Sequence, residues 1–195
     1  MNRGFTLLEM TVTIGVAAMI SSLILANFPQ FSRRLELSRT AQAVARSFRE
    51  AETAALAVRE FNGMFPPYGL HFENGAAIRD YVLFADVNNT DADPEPEGNG
   101  LYDEGELVET FAITGAPVIA GICVGVRSGG STCDSSMLDI VFRRPNPDVV
   151  ITADGDPSFF NAEITIKIPT GECRRVVIWK TGQLSIEPIE IPCSL

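Results

Sequence analysis

Histidine is almost missing from this chain: His71 is the only one in 195 residues. One imidazole cannot supply a paired acid and base, and no GxSxG, HExxH or P-loop spacing occurs, so the sequence gives no footing for an enzyme. None of the four cysteines sits in a CxxC, and with a single histidine too few soft ligands remain for a zinc site. Positive charge is scarce beyond residue 60. Residues 61–195 carry eight Lys/Arg against twenty Asp/Glu, whereas residues 1–60 carry seven against five. So acidic a surface repels a phosphate backbone, and no nucleic-acid partner is expected through it. The length suits one globular domain plus one extended element, and is too short for two full domains.

What the chain does have is an apolar N-terminus. Phe5 to Phe28 reads FTLLEMTVTIGVAAMISSLILANF, 24 residues that reach roughly 36 Å as a helix, enough to cross a hydrocarbon layer of about 30 Å. A secretory signal would place small residues after the apolar core; Pro29-Gln30-Phe31 follow instead. The run also holds one carboxylate, Glu9. A charge inside a membrane span is costly and marks function by default. A cut between Gly4 and Phe5 would create an α-ammonium four residues before Glu9, and a neighbouring copy would present another to neutralise it. Uncut, the same segment is a single-pass anchor for an extracytoplasmic binding module.

Asn2-Arg3-Gly4-Phe5-Thr6-Leu7-Leu8-Glu9-Met10 resembles the prepilin cleavage and methylation motif of type IV pilins and type II secretion pseudopilins. The resemblance implies that a prepilin peptidase cuts after Gly4 and methylates the Phe5 nitrogen, and that Glu9 docks the subunit into a growing filament. It implies, as partners, other pilin or pseudopilin subunits, an inner-membrane assembly platform and lipid. It also implies a bacterial inner-membrane, single-pass location with a periplasmic or extracellular head. One count opposes this topology: Arg33, Arg34 and Arg39 follow the span while only Arg3 precedes it, so a positive-inside rule alone puts the head in the cytoplasm. An even number of cysteines, suited to disulfides in an oxidising compartment, weighs the other way.

The expected fold is α+β: a long N-terminal helix, half transmembrane and half amphipathic, packed on an antiparallel β-sheet head like that of minor pseudopilins. Its parts are a leader (1–4), a membrane or filament-core helix (5–28), an amphipathic helix (29–61) and a β-rich head (62–195). In the amphipathic part Leu35, Ala41, Val44, Ala45, Phe48, Ala51, Ala55 and Leu56 recur at helical spacing. Phe48 and Leu56 are expected to carry the head, and Pro29 to loosen the rod. Asn62-Gly63 and Pro66-Pro67 end the helix. Eight β-like runs follow, at 68–72, 81–85, 107–113, 119–126, 138–143, 162–168, 174–179 and 183–191, with Asp154-Gly155-Asp156 as a turn between strands.

Thr181-Gly182 reads as a two-residue hairpin loop with Lys180 facing Gln183, a register that sets Cys173 opposite Glu190 and near Cys193. A Cys173–Cys193 bridge would tie down the C-terminal segment and Cys123–Cys133 would close a loop, although four cysteines allow three connectivities. The acidic stretch from Asp86 is a candidate site for calcium, the one cofactor the sequence suggests. Asp86, Asn88 and Thr90 alternate like the first oxygen ligands of a calcium loop, Asp91 and Asp93 lie close by, and Asp103 and Glu106 stand ready to close the cage. It resembles the D-x-N-…-Y-D-x-G-E loop of some pseudopilins and minor pilins, with residues 91–99 inserted. An EF-hand is excluded, because Asp91 stands where its sixth-position glycine belongs.

Overall fold

The computed structural model describes residues 6–75, 78–87, 98–144, 149–189 and 193. These residues form an α+β protein. One helix, α1 (Leu7–Leu56), precedes two five-stranded antiparallel sheets. By contacts the chain divides into a unit ending at Leu35 and a second unit, Glu36–Leu195. In the first unit every described side chain is exposed, and the helical backbone runs through Pro29.

In the second unit α1 turns one stripe inward: Leu37, Ala41, Val44, Phe48, Ala51 and Ala55 are all buried. Three of the six are alanines, whose small side chains let the helix sit close to its sheets. Two residues of the expected face are corrected. Leu35 is 40 % and Leu56 is 49 % exposed, because each falls off the 3–4 residue spacing that Leu37 and Phe48 set.

The helix also ends earlier than Asn62-Gly63. Val58 takes φ +55°, while Val58 N–H donates to Ala55 C=O (3.4 Å) and Arg59 N–H to Ala54 C=O (3.2 Å). This is the Schellman arrangement, with a β-branched residue where glycine is usual.

The first sheet has the order β3-β2-β1-β6-β7, from β1 (Tyr68–Glu73), β2 (Asp80–Ala85), β3 (Leu107–Ala112), β6 (Met137–Phe142) and β7 (Val149–Ala153). The second has the order β10-β9-β8-β4-β5, from β4 (Val118–Gly125), β5 (Ser131–Thr132), β8 (Asn161–Lys167), β9 (Cys173–Trp179) and β10 (Leu184–Ile189). The head thus holds two sheets, and β5 and β7 were not among the expected strands. Leu70, Phe72, Leu83 and Ile140 from one sheet and Ile122, Ile164, Val176 and Ile178 from the other join the α1 stripe in one buried cluster. At Gly69 a Cβ would sit 2.8 Å from both the Ile140 carbonyl and the Phe84 ring, so close β1–β6 packing there requires glycine.

The last hairpin is shifted by one residue from the expected register. Trp179 N–H donates to Gln183 C=O at 3.0 Å, and Ile178 faces Leu184. The loop is Lys180-Thr181-Gly182, with Gly182 at φ +78°, a three-residue turn that needs a left-handed residue at its end. Cys173 therefore faces Ile189 rather than Glu190. The bridges Cys123–Cys133 and Cys173–Cys193 are both formed.

Candidate functional site

From Leu7 to Leu25 α1 has a mean hydropathy of 1.9 and buries nothing within the structure, which makes it a candidate membrane span. Its 19 residues extend about 28 Å, close to the thickness of a hydrocarbon layer. Five side chains in it are polar, and four of them are satisfied locally. Thr11 and Thr13 hydroxyls donate to the Leu8 and Met10 carbonyls (both 2.9 Å). Ser21 and Ser22 donate to Ala17 and Met19 (both 2.8 Å). Such bonds hide a hydroxyl from lipid at little cost. Glu9 is the fifth. It is exposed, and its carboxylate has no partner among the described residues.

The backbone around Glu9 is nonetheless organised. Thr6 precedes the helix, and its hydroxyl accepts the Glu9 N–H (3.3 Å) alongside the Thr6 carbonyl (3.1 Å). Thr6-x-x-Glu9 is the spacing of a capping box, which sequence reasoning passed over although its signal stood in the T-x-x-E string. An acidic group in the first turn also favours the positive end of the helix dipole. Gly4 and Phe5, the expected processing site, lie outside the described residues.

The acidic segment presents its described residues as a closed neck. Asp86 is fully buried. Both its oxygens accept the Gly100 N–H at 3.1 Å, and the Arg143 guanidinium lies 4.0 Å away. Glu106 is equally enclosed; one oxygen accepts Val87 N–H and the other Asp103 N–H, each at 2.8 Å. The Asp103 carboxylate accepts from the Asn99 side chain at 2.7 Å.

Burial pushes the Asp86 carboxyl up to about 6, against the pull of Gly100 N–H and Arg143, and the Glu106 carboxyl up to about 7, against its two backbone donors. Asp86, Asp103 and Glu106 are thus brought together, but the first and last spend their oxygens on backbone N–H groups. No cluster of three or more metal-ligating side chains exists among the described residues. Asn88, Thr90, Asp91 and Asp93, the other expected ligands, lie outside those residues.

His71 proves to have a partner that sequence reasoning missed. It faces Asp139 across β1 and β6, with Nδ1 2.7 Å from the Asp139 carboxylate. That carboxylate also accepts Tyr102 N–H at 3.2 Å, and Glu73 lies 3.7 Å from Nε2. Burial draws the His71 pKa down, but Asp139 and Glu73 outweigh it and the net shift is upward. The pair joins β1 to β6 and, through Tyr102 N–H, to the acidic neck. The signal was slight: an aspartate inside the apolar run Leu138–Phe142, 68 residues from His71.

No family model, no characterised protein and no solved structure matches this chain.

Proposed function

We propose that this chain is a structural subunit of a type IV pilus or type II secretion pseudopilus, of the minor-subunit kind. It waits in a bacterial inner membrane with its disulfide-bonded head in an oxidising compartment. A prepilin peptidase cuts between Gly4 and Phe5 and methylates the Phe5 amine. An assembly platform then draws the subunit into a filament whose core is the apolar half of α1. In that role the chain performs no catalysis of its own.

The observation that carries this reading is one carboxylate without a partner among the described residues, in an apolar segment whose hydroxyls are satisfied. Four hydroxyls of the span bond within their own helix, and Glu9 does not. In lipid or in a bundle of such helices its charge needs an opposite one. The α-ammonium of a neighbouring Phe5 is a cation that only a cut chain supplies. Both disulfides support the oxidising side for the head.

A second reading is favoured by the Thr6 cap, whose hydroxyl accepts the Glu9 N–H at 3.3 Å. If Thr6 and Glu9 serve only to start the helix, the chain is an uncut anchor for an extracytoplasmic binding module.

Replacing Glu9 by alanine separates the two. Under the filament reading Glu9→Ala still inserts into membrane but is depleted at least tenfold from sheared filaments, measured by immunoblot of the filament fraction. Normal incorporation of the variant would favour the anchor reading. Glu9→Gln tests the same point with the helix start less disturbed.

A further inference from the structure

The open edge of the second sheet is built to receive a chain. Trp179 N–H bonds Gln183 C=O, so in the β9–β10 ladder the pairs Val177–Ser185 and Arg175–Glu187 exchange hydrogen bonds. Leu184, Ile186 and Pro188 then turn their backbone groups away from β9. Pro188 has no N–H, which blunts the far end of this edge. Leu184 and Ile186 keep both groups open among the described residues. These same residues, with Ser185, form one wall of a groove of about 550 Å³. Its other wall is the α1 stripe Gln42, Ala45, Arg46 and Arg49, spaced so that all four share one helix face. Within the groove Arg46 bonds the Gln42 carbonyl (3.4 Å), and Arg49 reaches Glu52 at an exposed site. The groove is therefore apolar along the strand and basic along the helix.

Its complement lies on the same chain, on a different element. The turn into β3 exposes Glu104, Leu107 and Glu109, with Leu107 49 % exposed. Neither glutamate has an ion pair among the described residues. Gly105, at φ +99°, makes the bend that presents them. The turn offers one exposed apolar side chain flanked by two exposed carboxylates to a groove of two apolar side chains and two guanidiniums.

We propose that residues 104–109 of one copy dock in the α1–β10 groove of the next, with Leu107 against Leu184 and Ile186 and the glutamates toward Arg46 and Arg49. The two patches differ, so the contact is heterologous: each copy gives its turn and receives its neighbour's. Such contacts propagate in one direction and build open helical assemblies. Exposed edge backbone adds hydrogen bonds to any extended segment laid along it. This inference rests on the filament reading, and it names which head surfaces meet there.

The test uses the full chain in membranes that express it, with Ser185 replaced by the photo-crosslinker p-benzoylphenylalanine and with unlabelled and nitrogen-15-labelled copies mixed. Crosslinked peptides joining the two isotopes should map to residues 104–109. Arg46→Glu with Arg49→Glu should lower that yield at least tenfold, and adding Glu104→Arg with Glu109→Arg should restore it. Crosslinks mapping elsewhere, none between copies, or a yield indifferent to the charge exchange would each overturn the proposal.

The N-terminus of the same sample is read by mass spectrometry. Missing crosslinks on a cut and methylated chain refute the head contact alone. An uncut chain refutes the filament reading, and crosslinks at 104–109 on that chain would leave the head contact standing.

Discussion

Val58 shows at one residue how the fold holds strain. Its left-handed backbone is forced by the two closing hydrogen bonds of α1, and for an L-residue that conformation costs roughly 1–2 kcal/mol. Val58→Gly should therefore stabilise the protein by about 1 kcal/mol, after the entropy that glycine adds to the unfolded chain is set against it. A urea midpoint that falls on this change would show that the Val58 side chain, 44 % exposed, does more than tolerate its position.

The buried carboxylates act in the opposite sense, through pH. Asp86 moves from 3.8 to about 6 and Glu106 from 4.5 to about 7, so between those values the folded state holds more protons than the unfolded one. Their contribution to stability is then fully present below about pH 4 and is lost as pH rises through 6 to 7. His71, also shifted upward, changes stability in the same direction. The urea midpoint should fall between pH 4.5 and 7.5, and Glu106→Gln should remove much of that slope. A midpoint that rises across the window would contradict the burial assigned to these groups.

Among the elements, the disulfides close loops of unequal span, with sequence separations of 10 and 20. The loop-entropy rule gives each about 3 kcal/mol, the longer slightly more. Replacing Cys173 and Cys193 together by serine should lower stability by that amount and free the last strand first, seen as faster amide exchange across Leu184–Ile189 than across β8. Equal protection of the two would refute it.

The same region marks where sequence legibility stopped. Apolar runs placed all but two strands to within a residue or two, because burial on two-sided sheets writes itself into β-branched content. The hairpin register slipped by one because Thr181-Gly182 fits a two-residue loop as well as the end of a three-residue one. Only the Trp179–Gln183 bond decides. β7 escaped notice because Val149–Ala153 is short and follows Pro145 and Pro147. The His71–Asp139 pair is a matter of strand order, which no local pattern carries. By contrast, Glu9 was legible at once, since a lone charge in an apolar run needs no fold to be conspicuous. The closed neck of the acidic segment was not, because carboxylates that accept backbone N–H groups and carboxylates that wait for a cation look alike in sequence.

At the scale of the whole chain, charge and greasiness are separated along its length. Exposed apolar side chains crowd Leu7–Phe31, while most of the acid lies beyond residue 60. An exposed apolar surface of this extent has to be covered by lipid or by copies of itself. Under the filament reading proposed above, a bilayer and a filament core are those covers, and Glu9 needs neutralising in both.

The direct measurement is intact mass and N-terminal fragmentation of the chain recovered from a host that carries a prepilin peptidase. The account predicts a polypeptide that begins at Phe5 and bears one methyl group on its α-nitrogen. A chain that still begins at Met1, Asn2, Arg3 or Gly4 when filaments are being made would contradict it.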